Sequence, residues 1–223
     1  MSVSSRPWAP YPEQSDAERI EHARSFADRL ESRRSCRSFS DRPVPREVIE
    51  AAIRAAASAP SGGNRQPWHF VAISGEEAKC AIRIALEEEE RAFYGKALDR
   101  NWRRMLGAIG TGPDKPFLEI APWLIVVFAD RKGAVDTTGM DQAFYVSESV
   151  AIATGLMLAT LHEAGIATLL QTPRAELFLT RLCRRPSSER PFLIVVAGHP
   201  ADDATIPEAV LERKPMERIA TWL

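Results

Sequence analysis

The segment Arg33-Arg34-Ser35-Cys36-Arg37-Ser38-Phe39 places three arginines within five residues, directly after a helical pattern ends. An arginine guanidinium is planar and permanently charged, and its paired donors match the oxygens of a phosphate. The cluster therefore predicts a phosphate-binding corner at a helix-to-loop junction. Basic residues also gather at helix C-termini because they interact favourably with the helix dipole, and the segment alone favours that simpler interpretation.

A second segment, Ala59-Pro60-Ser61-Gly62-Gly63-Asn64, separates a helical pattern from a strand pattern. Before it, apolar residues recur at helical spacing and predict a helix that begins at Pro43-Val44-Pro45, since proline is tolerated in a first turn. After it, Trp68 to Ser74 is typical of a strand. Two consecutive glycines let backbone N–H groups approach a ligand closely, although this segment alone favours an ordinary turn.

Helices and strands alternate along the chain, which indicates an α/β fold. Continuous apolar runs predict further buried strands at 123–129, 167–172 and 192–197. Amphipathic patterns predict further helices at 15–32, 76–94, 115–120, 140–164 and 176–183. The first of these opens with the capping-box pattern Ser15-Asp16-Ala17-Glu18. The helix at 140–164 is apolar over most of its circumference, so we expect it to contact a second surface, such as another subunit.

The composition is typical of a soluble globular protein, with 223 residues, 45% hydrophobic residues and 26% charged residues. A net charge of −1 argues against binding to nucleic acid or to a membrane surface. Because the three cysteines lack metal-ligand spacing, we expect free thiols, no metal site and a reducing, cytoplasmic location. No stretch is long and apolar enough to span a bilayer, and no dinucleotide, Walker, metalloprotease or serine-hydrolase motif occurs.

Three segments, taken together at their separations, resemble the flavin-dependent nitroreductase superfamily. They are Arg33-Arg34-Ser35-x-Arg37, Val44-Pro45-x-x-Val48-Ile49 and Ala59-Pro60-Ser61-Gly62-Gly63-Asn64-x-Gln66-Pro67-Trp68-x-Phe70. Within the superfamily the chain resembles the iodotyrosine deiodinase group, through further segments at group spacing. These are Glu87-Glu88-Glu89-Glu90-x-x-x-Tyr94, Trp102, Lys115-x-x-Leu118-x-x-Ala121-Pro122, Thr172-Pro173, Gly198-x-Pro200 and Arg213-Lys214-Pro215.

The resemblance implies an α+β fold with a mixed central sheet flanked by helices. It also implies one FMN-binding domain over residues 1–223, with a helical active-site lid at 90–117 inserted in it. The domains of this family form intertwined homodimers with FMN between the subunits, so we expect a homodimer. The group's animal members carry a membrane anchor, whereas we expect a soluble, bacterial-type form here.

The same resemblance assigns the cofactor-binding residues. Arginines and a serine would hold the FMN phosphate and the pyrimidine edge of the ring, namely Arg33, Arg34, Ser35, Arg37 and Arg213. Ser61 and Gly62 would border the flavin on one side, and Leu170-Gln171-Thr172 would pass its other side. In some relatives a small hydroxyl residue stands where this chain has Gln171, which implies a change in flavin contacts.

The substrate-binding residues implied by the resemblance are Gly63, Glu90, Tyr94 and Lys115. Gly63, at a position where alanine is common, would donate its backbone N–H to a phenolate oxygen. Glu90 and Tyr94 share a helix face because they are four residues apart. A zwitterion needs one anion and one cation, so Glu90 suits an ammonium and Lys115 a carboxylate. Each has a simpler interpretation in isolation: a solvated acidic run, a packed tyrosine and a surface lysine.

The implied activity is reductive dehalogenation of halotyrosines to tyrosine and halide by single-electron steps. The substrates would be 3-iodo-L-tyrosine and the bromo and chloro analogues. Thr172 would donate its hydroxyl to flavin N5 and favour single-electron over hydride chemistry. Electrons would come from NAD(P)H or a separate reductase. The alternatives are a broad NAD(P)H nitroreductase or quinone reductase, a flavin-destroying enzyme of corrinoid-ligand synthesis, and a flavin-dependent binder that releases no halide.

Overall fold

The computed structural model describes residues 5–8, 11–96, 100–132 and 143–223. The chain divides into two compact units, residues 1–33 and 34–223. The first unit contains helix α1 (Asp16–Glu31), and both hydrogen bonds of the predicted capping box between Ser15 and Glu18 are present. None of the residues of α1 is buried. The organisation as a single domain stays a prediction.

The second unit is built on a four-stranded sheet in the order β1-β2-β4-β3. The strands are β1 (Trp68–Ile73), β2 (Trp123–Asp130), β3 (Ala167–Gln171) and β4 (Glu189–Gly198). All four coincide with predicted strands, although β4 begins earlier than its apolar run. The three strand pairings are antiparallel, and the parallel part of the expected mixed sheet is a single bridge between Ser35 and Thr168.

Six helices and three short 3₁₀ segments complete the second unit within the described ranges. The helices are α2 (Arg46–Ala57), α3 (Glu76–Lys96), α4 (Arg100–Ala108), α5 (Phe117–Ile120), α6 (Val146–Glu163) and α7 (Glu176–Leu182). The 3₁₀ segments are Gly62–Asn64, Glu208–Val210 and Met216–Arg218. In those ranges no helix is both long and apolar enough to cross a membrane.

The predicted start of the long apolar helix at residue 140 is wrong. Helix α6 begins at Val146, and the residue before it, Tyr145, has a φ of 52°. That left-handed conformation is unfavourable for a non-glycine residue and interrupts a right-handed helix. The first residues of the predicted helix, 140–142, lie outside the described residues.

Each face of the sheet is covered by its own set of helices. Side chains of α3, α5 and α7 pack on one face in a first core cluster that includes Ile82, Leu86, Leu118, Leu169 and Leu179. Side chains of α2 and α6 pack on the other face in a second cluster that includes Ile49, Ala52, Val150, Met157 and Leu161. Successive strand residues alternate between the clusters because a strand directs neighbouring side chains to opposite faces.

Candidate active site

A cleft of about 720 Å³ lies where the end of α3, the segment after α4 and the end of β3 meet. Its lining includes six residues singled out in the sequence: Glu90, Tyr94, Lys115, Leu170, Gln171 and Thr172. The three charged or phenolic residues were predicted to bind an amino-acid group, and the other three were predicted to flank a flavin. The fold therefore brings these two groups of predicted residues into one cavity.

Only two of the four glutamates at 87–90 are exposed to solvent. Glu88 and Glu89 are exposed, whereas Glu87 is 7% exposed and Glu90 is 8% exposed. Residues three apart lie on the same side of a helix, so these two carboxylates share the inner face of α3. The interpretation of the whole run as a solvent-facing surface is therefore wrong for Glu87 and Glu90.

Lys115 supplies a buried positive charge to the cleft. Its side chain is 3% exposed, and its Nζ donates to the Gly112 carbonyl at 2.7 Å and lies 3.9 Å from the Glu90 carboxylate. Burial lowers the pKa of Lys115, the Glu90 charge opposes that shift, and the positive charge of Arg37 adds to it. The ammonium is thus held beside an anion, and both side chains are largely buried.

Glu87 fixes the backbone at Lys115. One carboxylate oxygen accepts the Lys115 backbone N–H at 2.7 Å. The other is 3.0 Å from Nη2 of Arg91, which also contacts Asp114 at 3.1 Å. Sequence reasoning missed this role of Glu87, although its three-residue spacing from Glu90 is the signal that could have revealed it. The hydrogen bond between the Glu87 carboxylate and the Lys115 backbone N–H joins α3 to the segment between α4 and α5.

Tyr94 and the segment after α4 form the outer part of the cleft. The phenol of Tyr94 is hydrogen-bonded to the Thr111 side chain, and burial and the nearby Glu90 charge raise its pKa. Leu106 and Thr111 line the cleft from the region predicted to be a lid. Arg174 lies over the Phe93 ring, with its guanidinium carbon 3.6 Å from the ring centroid. The segment at 106–111 thus closes one side of the cavity.

The part of the arginine segment that belongs to the second unit lies beside β3, the strand that leads into the cleft. Cys36 donates its backbone N–H to the Thr168 carbonyl at 3.0 Å, next to the bridge between Ser35 and Thr168. Arg34 and Arg37 are half-buried, and Ser35 is exposed. Arg37 does not line the cleft, but its charge acts on Lys115. Arg33 belongs to the first unit of the chain, and Arg213 is exposed.

The glycine-containing loop does not contribute to this cleft. Among the described residues, Ser61, Gly62 and Gly63 are absent from its lining. The Ser61 hydroxyl accepts the Gln66 backbone N–H at 2.9 Å, and Gly63 has a φ of 59°. The interpretation of this segment as an ordinary turn is incomplete, because Asn64 and Gln66 also have positive φ, which is uncommon outside glycine.

Residues 30–199 match the family described as the nitroreductase family. The chain belongs to this family, in its iodotyrosine deiodinase group. It is 44% identical over 185 residues to iodotyrosine deiodinase from Haliscomenobacter hydrossis, covering 83% of this chain and 82% of the relative. It is 37% identical to human iodotyrosine deiodinase 1, covering 94% of this chain and 71% of that protein. The resemblance read from the sequence motifs is confirmed.

Solved structures show the same relationship. A crystal structure of oxidized iodotyrosine deiodinase bound to FMN and 3-iodo-L-tyrosine superposes with a TM-score of 0.74. It is 29% identical in sequence and is matched over its whole length by 88% of this chain. A BluB-like flavoprotein from Clostridium difficile, with a TM-score of 0.65 and 21% identity, shares the fold.

The residues of this nitroreductase-family chain fit FMN. Arg34 and Arg37 are half-buried residues that flank the Ser35 bridge to β3, and their guanidiniums can donate to phosphate oxygens and to the carbonyl oxygens of the pyrimidine edge of a flavin. Leu170 leaves 41% of its surface exposed at the end of β3, next to the exposed Thr172. An exposed leucine beside a hydroxyl suits a flat ring system with one polar edge. No group of His, Cys, Asp and Glu in the described residues could hold a metal ion.

Gly62 is required by close packing on a backbone carbonyl. A Cβ added at Gly62 would lie 2.8 Å from the Phe144 carbonyl oxygen and 3.0 Å from the Tyr145 ring. We expect Gly62→Ala to lower the free energy of unfolding by about 1–3 kcal/mol, since backbone must move to admit the methyl group. Gly75→Ala is the control because a Cβ there meets nothing within 4 Å. Chemical denaturation of both variants tests this, and equal losses would contradict it.

Proposed function

We propose that the protein is an FMN-dependent reductive dehalogenase of halotyrosines. Its substrates are 3-iodo-L-tyrosine and the bromo and chloro analogues, and its products are tyrosine and halide. The observation that carries the proposal is the placing of Glu90, Tyr94 and Lys115 in one cleft with the end of β3. A nitroaromatic or a quinone has no zwitterion to pair with a buried carboxylate and a buried ammonium. The relatives named for iodotyrosine deiodination support the same conclusion.

The amino-acid group of the substrate binds in the cleft by replacing a contact that Lys115 makes in the free protein. The Glu90 carboxylate accepts hydrogen bonds from the substrate ammonium, and Lys115 moves from the Gly112 carbonyl to the substrate carboxylate. Tyr94 forms a hydrogen bond with the amino-acid group of the substrate from the outer side of the cleft. Ion pairs in a poorly hydrated cavity are stronger than in water, and they draw the 106–115 segment towards α3. The residues thus orient the substrate and exclude water from it.

The reaction consumes two electrons and one proton for each halide released. Reduced FMN supplies the electrons one at a time when it is bound. A proton is added at the halogen-bearing ring carbon, the phenol becomes a ketone, and the two electrons cleave the carbon–halogen bond to give halide and tyrosine. The backbone N–H of Gly63 would hold the phenolate oxygen, and the Thr172 hydroxyl would donate to N5 of the bound flavin. NAD(P)H or a separate reductase restores the cofactor.

The active form is a homodimer in this proposal. Helix α6 packs one face on the core and leaves Ile152 and Leu156 on its outer face, 47% and 37% exposed. Phe144, just before α6, is also 47% exposed. A second copy would cover these side chains. It would also bring its Ser61–Gly63 loop, which is outside the cleft of its own chain, to the cleft of the first copy.

The lowered pKa of Lys115 predicts a pH dependence of substrate binding. The pKa of the Lys115 ammonium lies below its ordinary value of 10.5. Its pairing with a ligand carboxylate therefore weakens as the pH rises through that lower pKa. Arginine stays charged throughout this pH range, so Lys115→Arg is the reference protein. The affinity of the wild type for 3-iodo-L-tyrosine is divided by that of Lys115→Arg at each pH, and the titrations of the ligand cancel because they affect both proteins equally. We expect this ratio to be constant near neutral pH and to fall with a midpoint below 10.5. A flat ratio would contradict the assignment.

Thr172 is expected to control the type of electron transfer. Thr172→Ala should lower the rate of iodide release about tenfold, as expected for the loss of one hydrogen bond to a developing charge, and leave nitroaromatic reduction unimpaired. Thr172→Ser keeps the hydroxyl and should retain most of the iodide release. Parallel assays of both reactions on the three proteins measure the effect. If alanine and serine variants behave alike, another group serves flavin N5.

Binding to the oxidised, FMN-loaded protein tests the proposed function. Flavin fluorescence is titrated with 3-iodo-L-tyrosine, 2-iodophenol and nitrobenzene, and NAD(P)H-driven reduction of the nitroaromatic is measured in parallel. We expect 3-iodo-L-tyrosine to bind about 100-fold more tightly than 2-iodophenol because only it has the charged amino-acid group. Rapid nitroaromatic reduction without preference for iodotyrosine would establish the broad nitroreductase instead. Oxidative loss of FMN itself would establish the flavin-destroying activity.

A further inference from the structure

We propose that Gln171 positions the Glu90 carboxylate for the substrate ammonium, and does not act as a flavin contact. This inference rests on the proposed function. The resemblance grouped Gln171 with Leu170 and Thr172 along the flavin. The structure separates Gln171 from Leu170 by the direction in which each side chain points.

The amide of Gln171 is directed at the head-group site. Its Nε2 donates to the Glu90 carboxylate at 3.2 Å and lies 3.3 Å from the Thr172 carbonyl. Glu90 is 8% exposed, so few water molecules compete for its oxygens. The bond joins the end of β3, which borders the predicted flavin site, to the inner face of α3.

The strand register explains why Gln171 reaches Glu90. Leu169 packs in the first core cluster with Leu86 of α3. Gln171 is two residues beyond Leu169 and therefore shares its face of the sheet. Glu90 is four residues beyond Leu86 and lies one turn further along the same side of α3. Leu170 points to the opposite face, where 41% of its surface is exposed and can contact a flavin ring.

The two oxygens of Glu90 have different neighbours before substrate binds. Gln171 donates to Oε1, and the Lys115 ammonium lies 3.9 Å from Oε2. When Lys115 turns to the substrate carboxylate, the neutral amide still holds Oε1, and Oε2 is available to the substrate ammonium. A neutral donor orients the carboxylate without neutralising the charge that the ammonium needs. Gln171 thereby makes the cleft selective for ligands that carry an amino group.

Two ligands that differ only in the amino group isolate this role. FMN-loaded wild-type and Gln171→Met proteins are titrated with 3-iodo-L-tyrosine and with its des-amino analogue, 3-(4-hydroxy-3-iodophenyl)propionate. Methionine has similar size and no donor. We expect the variant to bind iodotyrosine about tenfold more weakly, and to bind the analogue and FMN within about twofold of wild type. In turnover the change should appear in KM and leave kcat nearly constant.

A double-mutant cycle with Glu90→Gln identifies the partner. Once Glu90 has lost its charge, Gln171→Met should have little further effect on iodotyrosine binding. Weaker FMN binding, or equal losses for both ligands, would overturn the proposal and return Gln171 to the flavin. Unchanged binding of all three molecules would overturn it as well.

The side-chain amide can be observed without any substrate, which separates this inference from the proposed function. In ligand-free protein, the ¹⁵N and ¹H resonances of the Gln171 amide should shift in Glu90→Gln and remain in place in Glu88→Gln, since Glu88 is exposed. A dehalogenation test that fails while this shift is seen would reject the halotyrosine substrate and retain the Gln171–Glu90 contact. Absence of the shift would reject the contact whatever the substrate.

Discussion

Replacing Lys115 by alanine is expected to weaken the binding of 3-iodo-L-tyrosine about 100-fold and that of 2-iodophenol less than about twofold. The reason is the burial of the Lys115 side chain, which is 3% exposed and whose ammonium lies 3.9 Å from the Glu90 carboxylate. Loss of the ammonium would leave the substrate carboxylate buried without a partner, whereas a halophenol has no carboxylate. Flavin fluorescence titrations with both ligands give the two affinities.

Lys132→Ala is the control for this prediction, because Lys132 is exposed and does not line the cleft. We expect it to bind both ligands like wild type. Equal losses for iodotyrosine and iodophenol in Lys115→Ala would mean that Lys115 shapes the cleft and does not bind the amino-acid group.

Replacing Glu90 by glutamine is also expected to lower the affinity for 3-iodo-L-tyrosine, again by about 100-fold. Glutamine has nearly the same shape, but its neutral amide cannot balance the charge of a buried ammonium. The substituted protein would hold the Lys115 charge and the substrate ammonium near each other without the anion between them. Isothermal titration of FMN-loaded protein measures the loss.

The acidic run supplies its own control for this experiment. Glu88 is two residues away on the same helix and is exposed, whereas Glu90 is 8% exposed. Glu88→Gln removes the same charge and should change the affinity by less than about twofold, since exposed charges are screened by water and salt. Similar losses in both variants would indicate a general effect of net charge and would reject a specific pairing with Glu90.

Features that depend on local sequence were predictable here. The capping box at Ser15 and Glu18 and the apolar runs that form β2 and β4 were read correctly, because each depends on residues near one another in the chain. The start of α6 was not, because the left-handed backbone of Tyr145 is a property of the folded loop. The antiparallel pairing of all four strands likewise depends on contacts between distant segments.

The candidate site shows the same difference between features set by local sequence and features set by contacts between distant segments. The family resemblance singled out Glu90, Tyr94 and Lys115, and the fold places them in one cleft. Periodicity could show that Glu87 and Glu90 share a helix side, but only the packing of α3 shows that this side is buried. The direction of Gln171 also required the register of β3 against the core. The Ser61–Gly63 loop is absent from the lining of the cleft, although the resemblance had assigned it to the same site.

Anaerobic single turnover tests the central claim most directly. The FMN-loaded protein is reduced with dithionite, 3-iodo-L-tyrosine is added, and free iodide and tyrosine are counted against flavin. We expect one iodide and one tyrosine for each reduced FMN oxidised, because the two electrons of the cofactor cleave one carbon–iodine bond. Intact iodotyrosine beside flavin that stays reduced would contradict it, and would leave the cleft as a site that binds halotyrosine without dehalogenating it.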